Sequence, residues 1–342
     1  MIGWPAAKSP VFKNVFRKGF SRCDNFGYVF ESERTWLRTN GLWSVLFRTV
    51  TFQNLNQNIR TFATKENKML NAATNAEKPV TNIKTSFETD GFYLAPETVN
   101  RSLVGRGVAA MDAVIAGQYE TGVPPLDLTK LATEEQLQHL KANPNSTRIC
   151  KIDQAHLCND TLRELVSDPA IGRLAAEATG AQWIQIWATQ LLFKPSGDGG
   201  TASVGWHQDL HYWQTIWEGQ VFTAWLALSD VTPESGPMRF VRGSHQWGLQ
   251  SASDFFNVDL DSLKNALRSG NREWNEVAAV LPPGGVSLHH CLTVHGSGAN
   301  QSSGPRRSIA IHLRTEKSKP IAEHHYTTDL TNPKKCPVIF GG

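Results

Sequence analysis

Trp183-Ile184-Gln185-Ile186-Trp187-Ala188-Thr189-Gln190-Leu191-Leu192-Phe193, closed by Lys194-Pro195 and a glycine-rich stretch, is where the chain changes period. Before it, apolar residues recur at helical spacing. Within it, aromatic and β-branched residues follow the two-residue period of an extended strand. Shorter runs with Gly or Pro punctuation follow at residues 221–228, 237–241, 277–281, 286–290 and 308–313. Helices first and regularly spaced strands afterwards predict a mainly β protein, a barrel or double-sheet jelly roll with flanking N-terminal helices.

Upstream of that strand, residues 86–94 read as a helix end, a turn at Gly91 and a first strand. Residues 98–117 and 132–142 carry helical spacing, and residues 148–152 make a short strand. Asn159 is a good N-cap for two helices running to Thr179, and Gly180 suits their C-terminus. Residues 316–342 are polar and read as a surface tail. The globular domain is therefore expected over residues 86–315, with 63–85 as a linker, and no internal repeat is visible.

Hydrophobic content of 40% and eleven tryptophans indicate a buried core rather than disorder. The five cysteines are odd in number and lack Cys-x-x-Cys spacing, which argues against a disulfide framework or a thiolate zinc site. No apolar run approaches the ~20 residues of a membrane helix. Charge is unevenly placed. Residues 1–62 hold nine Lys or Arg against three acids, a local +6, so the remainder carries −3 of the net +3. That remainder has no basic surface for nucleic acid. The basic, acid-poor start resembles a mitochondrial transit peptide, with Arg60-Thr61-Phe62-Ala63 as a cleavage site. The alternatives are a disordered extension or a true start at Met69, which would leave the protein in the cytoplasm.

Chemistry concentrates in Trp206-His207-Gln208-Asp209-Leu210-His211-Tyr212-Trp213 and, farther on, His295. On a strand His207 and Asp209 point to one face, because side chains alternate. His295, just beyond the strand at 286–290, can arrive from a neighbouring strand. Two histidines and one carboxylate cap one face of an octahedral ferrous ion and leave three positions open. His211, His245, His289, His290 and His312 are read as ordinary hydrogen-bonding or surface histidines. Arg306 and Ser308 share a strand face, where a guanidinium fork and a hydroxyl suit a carboxylate such as that of 2-oxoglutarate. Arg307 points the other way, to solvent. Trp206, Trp213 and Trp217 are either substrate walls or core. On these residues alone, a cupin-like enzyme holding iron, zinc or manganese without 2-oxoglutarate stays open. So do a metal-dependent hydrolase and a non-catalytic jelly-roll binding protein.

Three segments carry a resemblance to a known family: His207-Gln208-Asp209-Leu210-His211-Tyr212; Gly236-Pro237-Met238-Arg239-Phe240-Val241-Arg242-Gly243-Ser244-His245; and His295-Gly296-Ser297-Gly298-Ala299-Asn300 leading to Arg306. The chain resembles the phytanoyl-CoA dioxygenase family of iron(II)/2-oxoglutarate oxygenases from about Ser86 to Thr315. The resemblance implies a double-stranded β-helix. It implies iron(II) held by His207, Asp209 and His295, and 2-oxoglutarate anchored by Arg306. Lys151, Gln190, Gln208, Trp225 and Ser297 match positions around the co-substrate, although Gln190 stands where the phytanoyl-CoA enzyme itself is apolar. Dioxygen would be the second co-substrate, ascorbate a stimulant, and succinate and carbon dioxide the co-products. Related halogenases need a small residue at the position of Asp209, so the carboxylate implies hydroxylation of an unactivated C–H bond. Val338-Ile339-Phe340-Gly341-Gly342 is no peroxisomal Ser-Lys-Leu address, and no Lys/Arg cluster marks a CoA phosphate site. A small organic or secondary-metabolite substrate is therefore expected rather than phytanoyl-CoA; oligomeric state is not specified.

Overall fold

The computed structural model describes residues 82–126, 149–197, 202–268 and 272–342, and the backbone of two short strands, β1 (Leu37–Thr39) and β2 (Leu42–Ser44). Two compact units are distinguished, Met1–Glu77 and Lys78–Gly342. In the first, β1 and β2 pair antiparallel. The remainder of the expected transit segment and the helix expected at 132–142 lie outside the described residues.

In the second unit, local signals set the helices. Asn82 caps α1 (Ile83–Asp90), its side chain accepting from the backbone N–H of Lys84 at 3.0 Å. The helix stops at Gly91, whose φ of 82° suits the left-handed C-terminal position. The chain then enters β3 (Phe92–Ala95), and Asn100 caps α2 (Arg101–Ile115). After β4 (Cys150–Asp153), Asn159 caps α3 (Asp160–Val166) by accepting from Leu162 N–H at 3.1 Å. Pro169 opens α4 (Pro169–Thr179), with Gly180 at its left-handed end. No helix among the described residues is long and apolar enough to cross a membrane.

The strands form two antiparallel sheets. The larger runs β13 (Val338–Phe340), β5 (Ile184–Lys194), β12 (Arg306–Pro320), β7 (Trp217–Ala227), β10 (Val286–His290) and β3, with β4 also on β5. The smaller runs β6 (Val204–His207), β11 (His295–Ser297), β8 (Met238–Val241) and β9 (Glu276–Ala278). Alternation along β12 divides the labour. Ile309, Ile311 and Leu313 join Phe222, Ala224 and Leu226 in a core shared with Phe87, Leu162 and Ile171 of the helices. Ala310 faces the other way, into a second core with Leu192, Trp225, Met238 and Phe240. Arg306, Ser308 and His312 have the parity of Ala310, so polar groups enter the space between the sheets.

Simple alternation fails in two places. In β5 the register slips opposite His312 and Leu313, where Ala188 and Ile186 are successive partners. The extra residue is a bulge, and it lets Ile184, Ile186 and Leu191 all face the helices. The expected surface tail is also corrected. β12 continues to Pro320, and β13 pairs with β5 through Val338↔Gln185 and Phe340↔Ile184. Cys336 and Ile339 are buried, and Gln185 Nε2 donates to the carbonyls of Leu330 and Cys336. A three-residue strand is too short for periodicity to reveal. His156 adds a buried tie between the sheet and this segment. Its Nε2 donates to the Lys335 carbonyl at 3.0 Å, leaving Nδ1 to accept from Thr189 Oγ1 at 2.8 Å.

Two outcomes are expected. A Cβ on Gly172 in α4 would lie 2.2 Å from the carbonyl oxygen of Ile339, whereas one on Gly105 in α2 meets nothing within 4 Å. In urea titrations Gly172→Ala should lose ~1–3 kcal/mol, and Gly105→Ala should gain ~0.5–1 kcal/mol from helix propensity. The second outcome concerns acid. Burial pushes the His156 pKa down to about 4, with Arg163 contributing in the same direction, while the unfolded chain titrates near its ordinary value. Between those values the unfolded state binds the extra proton, so stability falls as pH drops through that window, by up to ~3 kcal/mol from this residue. His156→Gln should flatten the pH dependence of the urea midpoint between pH 6.5 and 4.

Candidate metal centre

β6 and β11 bring the two histidines together. His207 is the last residue of β6 and His295 the first of β11, and the two are direct cross-strand partners. Their ring centroids lie 4.1 Å apart. His207 Nδ1 bonds to the carbonyl of Gly205 at 2.8 Å and His295 Nδ1 to that of Thr293 at 2.9 Å. Carbonyls only accept, so each Nδ1 carries the proton and each Nε2 presents a lone pair. Gly205 permits this tight return, since a Cβ there would meet the Asp254 carbonyl at 2.0 Å.

Asp209 reaches the same point differently from expectation. The strand ends at His207, and Asp209 has helical angles (φ −58°, ψ −38°) at the entrance to α5 (Leu210–Trp213). The turn, not the pleat, swings its carboxylate back over the histidines. Oδ1 lies 3.6 Å from His207 Nε2 and 3.8 Å from His295 Nε2. All three donors fall within 4.8 Å of one another. Oδ2 accepts from Thr223 Oγ1 at 2.8 Å and faces His289 Nε2 at 3.3 Å. Burial opposes the charge on Asp209, yet the surrounding imidazoles of His295, His207 and His289 hold its pKa well below the carboxylate range. Burial, with His207 and His289 nearby, likewise holds His295 neutral. Two outward-facing imidazole lone pairs beside an ionised carboxylate form a donor set that fits a divalent first-row ion.

A cavity opens from these donors between the sheets. Its deep end holds Trp225, Ser297 and Arg306. Arg306 is buried, its Nη1 donating to the Gly236 carbonyl at 2.6 Å and its Cζ 5.3 Å over the Trp225 ring. Its Nε has no hydrogen-bond partner among the described residues. Burial lowers the Arg306 pKa to about 10, which leaves it a cation at neutral pH. Lys194, its cross-strand partner, is fully buried and donates to Ser297 Oγ at 2.8 Å and the Gly298 carbonyl at 2.6 Å. Such a cationic, hydroxyl-bearing end fits a carboxylate. The outer chamber is lined by Lys151, Gln190, Tyr212, Trp213, Phe255 and His312.

Several expected roles need correction. Gln208 points away from the cavity, held there by its own hydrogen bonds. Its Nε2 donates to the carbonyls of Gly248 and Leu292, and its Oε1 accepts from Gln250 N–H. Ser308 is buried with its hydroxyl toward the Leu192 carbonyl at 3.4 Å, off the cavity lining. Trp206 and Trp217 are core, and only Trp213 reaches the chamber. Arg307 is not solvated as expected but pairs with Asp112 at 2.9 Å. His289 and His312, expected to be ordinary, both line the cavity. Thr223 and Lys194 were not anticipated. Parity held the missing signal for His312, which is an even number of residues from Arg306.

A family profile described as phytanoyl-CoA dioxygenase (PhyH) matches residues 87–308. The chain belongs to that family. A "Probable alpha-ketoglutarate-dependent hypophosphite dioxygenase" of Stutzerimonas stutzeri is 28% identical over 195 residues, 55% of this chain and 65% of that protein. The bovine peroxisomal phytanoyl-CoA dioxygenase is 28% identical over 128 residues, 36% of this chain and 38% of the relative. The mouse phytanoyl-CoA dioxygenase domain-containing protein 1 is 28% identical over 247 residues, 66% and 84% of the two chains. The aligned region thus spans less than two thirds of the first two relatives. Among solved structures, the non-heme alpha-ketoglutarate-dependent carbocyclase SnoK of nogalamycin biosynthesis superposes with a TM-score of 0.54 at 23% identity, covering 74% of this chain and 90% of that one. EctD from S. alaskensis, with 2-oxoglutarate and 5-hydroxyectoine, gives 0.51 at 22% identity over 73% and 82%. These likenesses establish the jelly-roll fold.

Thr223 is the groove's test of support for the metal ligands. Thr223→Val keeps the shape and removes the proton donated to Asp209 Oδ2. Competition titration should find iron(II) affinity reduced ~10–100-fold, and the melting transition should fall because Asp209 and His312 each lose a buried partner.

Proposed function

We propose that the protein is an iron(II)- and 2-oxoglutarate-dependent dioxygenase that hydroxylates an unactivated C–H bond of a small organic metabolite. The observation that carries this reading is the convergence of His207 Nε2, Asp209 Oδ1 and His295 Nε2 within 4.8 Å, in a cavity whose far end is the buried Arg306. Ferrous iron and 2-oxoglutarate, when bound, supply the dioxygen-dependent oxidation that releases succinate and carbon dioxide.

The protein's own residues supply geometry, charge and dryness. His207 and His295 keep their protons on Nδ1, which leaves both Nε2 lone pairs facing the site. Asp209 occupies the third position with a carboxylate already ionised, and Thr223 and His289 prevent it from rotating away. A filled carboxylate position leaves no vacancy for a halide, which favours hydroxylation. Arg306, stacked on Trp225 and anchored to the Gly236 carbonyl, presents its fork to the distal carboxylate of the co-substrate. Ser297, held by Lys194, adds a hydroxyl at the same end. Leu192, Val204, Met238 and Ala310 line the intervening wall and exclude water from the keto-acid chain. Phe255, Phe256 and Trp213 cover the mouth. The substrate class is argued separately below.

The test is succinate formation from 2-oxoglutarate with added iron(II), dioxygen and ascorbate. Turnover should require iron, and Asp209→Ala should abolish it. Arg306→Ala should raise the 2-oxoglutarate KM ~10–100-fold, the loss of charge-assisted hydrogen bonds of ~1.5–3 kcal/mol. Iron binding without any succinate, in wild type, would instead favour a cupin-like metalloenzyme.

A further inference from the structure

The outer chamber contains two polar groups outside the metal-donor set, His312 and Gln190. His312 is buried, stacks on Trp187 with centroids 5.3 Å apart, and meets the edge of Trp213 at 4.7 Å. Its Nδ1 lies 3.0 Å from Thr223 Oγ1. That hydroxyl has one proton, and it goes to Asp209 Oδ2 at 2.8 Å. Thr223 must therefore accept from His312, which puts the imidazole proton on Nδ1 and leaves Nε2 with a bare lone pair. Nε2 is buried and has no partner among the described residues, and the ring lines both the deep and outer parts of the cavity.

Gln190 arrives at a similar state by a separate route. Its Nε2 donates to Asp153 Oδ1 at 3.0 Å, and Tyr326 OH also reaches that oxygen at 3.3 Å. A carboxylate accepts, so one of the two amide N–H groups fixes the nitrogen toward Asp153 and leaves the amide oxygen as the acceptor at the other end of the group. Gln190 also lines both parts of the cavity. On neighbouring strands, Gln190 is opposite Ala310 and His312 opposite Ala188, which makes the two side chains diagonal neighbours on one face.

We propose that Gln190 Oε1 and His312 Nε2 form a hydrogen-bond acceptor pair that selects substrates presenting neutral donors, hydroxyl or carboxamide groups, next to the metal site. This rests on the function proposed above for the same cavity. The pair cannot serve 2-oxoglutarate, whose ionised carboxylates and keto oxygen are themselves acceptors. An ammonium donor is disfavoured because Lys151 faces the same chamber. An unfunctionalised hydrocarbon chain is disfavoured for a different reason. It would displace water from both acceptors and leave them unsatisfied. A site built to bind a donor rejects an analogue without one more strongly than it rejects a change of size.

The experiment uses the full-length protein loaded with zinc, a diamagnetic stand-in for iron, and 2-oxoglutarate, with histidine labelled by nitrogen-15. Acetamide and 1,2-propanediol are titrated against N,N-dimethylacetamide and 1,2-dimethoxypropane, which have similar shapes but no donors. The donor fragments should shift the His312 Nε2 resonance and bind at least about tenfold more tightly than their methylated counterparts. Gln190→Met and His312→Leu should each remove most of that preference, and Gln190→Met suffices if the histidine variant fails to fold. Equal affinity of donors and methylated forms, binding of neither, or a protonated His312 Nε2 overturns the proposal. Direct binding of 2-oxoglutarate is measured in the same samples. Donor preference without 2-oxoglutarate binding supports the acceptor pair while removing the co-substrate from the proposed function.

Discussion

The cross-strand pairing of His207 with His295 is the constraint on which the rest of the site depends. Two imidazoles with ring centroids only 4.1 Å apart in a dry interior could not both carry charge. Burial and the neighbouring histidines keep His295 neutral, and each ring donates its Nδ1 proton to the carbonyl two residues earlier, Gly205 in one strand and Thr293 in the other, which fixes the tautomer. The repeated bond makes the two strand ends near copies of each other, with both Nε2 lone pairs aimed at one point. Asp209 then completes the set from the turn after β6. Thr223 donates to its Oδ2, and His289 Nε2 faces the same oxygen.

Between the sheets, polarity is graded. At one end Arg306 and Lys194 sit opposite each other in register, both buried. The metal donors occupy the middle, and beyond them come Gln190, His312 and Lys151. Burying a guanidinium is costly unless something supplies the opposite charge. Arg306 keeps its charge, spends one nitrogen on Gly236, and rests its face on Trp225. Such a group is poised for an anion rather than spent on structure. Apart from Tyr212 and Trp213 of the short α5, the helices contribute nothing directly to this surface. They cover the outer face of the large sheet through Phe87, Leu162 and Ile171, which frees the inner face for chemistry.

Much of this was legible before any coordinates. The change from helical to strand period located the sheets, and caps at Asn159 and Gly180 marked helix ends correctly. His207, Asp209, His295 and Arg306 were identifiable because residue type, spacing and motif agreed. What escaped was whatever depends on partners distant in sequence. His289 and His312 carry no motif of their own, and only the register His289↔Thr223↔His312 shows that they flank Thr223, which donates to Asp209. Gln208 was misplaced because its hydrogen-bond partners, Gly248, Gln250 and Leu292, are distant in sequence. The C-terminal residues looked like a tail because β13 is three residues long and its anchors, Gln185 and His156, lie some 150 residues upstream or more.

The tautomer chain connects these strands of the argument. Asp209 Oδ2 takes the Thr223 proton, Thr223 takes the His312 proton, and the bare Nε2 is thereby set by a carboxylate that it never touches. Metal binding and substrate polarity are coupled through that relay. A charge drawn from Asp209 toward a cation weakens its pull on Thr223, but the direction of donation holds as long as the carboxylate stays ionised. Burial reinforces this, pushing the His312 pKa down to about 3 so that Nε2 does not acquire a proton at neutral pH. A cation end for one carboxylate, a metal in the centre and an acceptor end for neutral donors leave little room for interchange. A keto acid offers only acceptors and is drawn toward Arg306, whereas a donor-bearing molecule is satisfied only at Gln190 and His312. Two reactants of different polarity can therefore enter one cavity without competing for the same end.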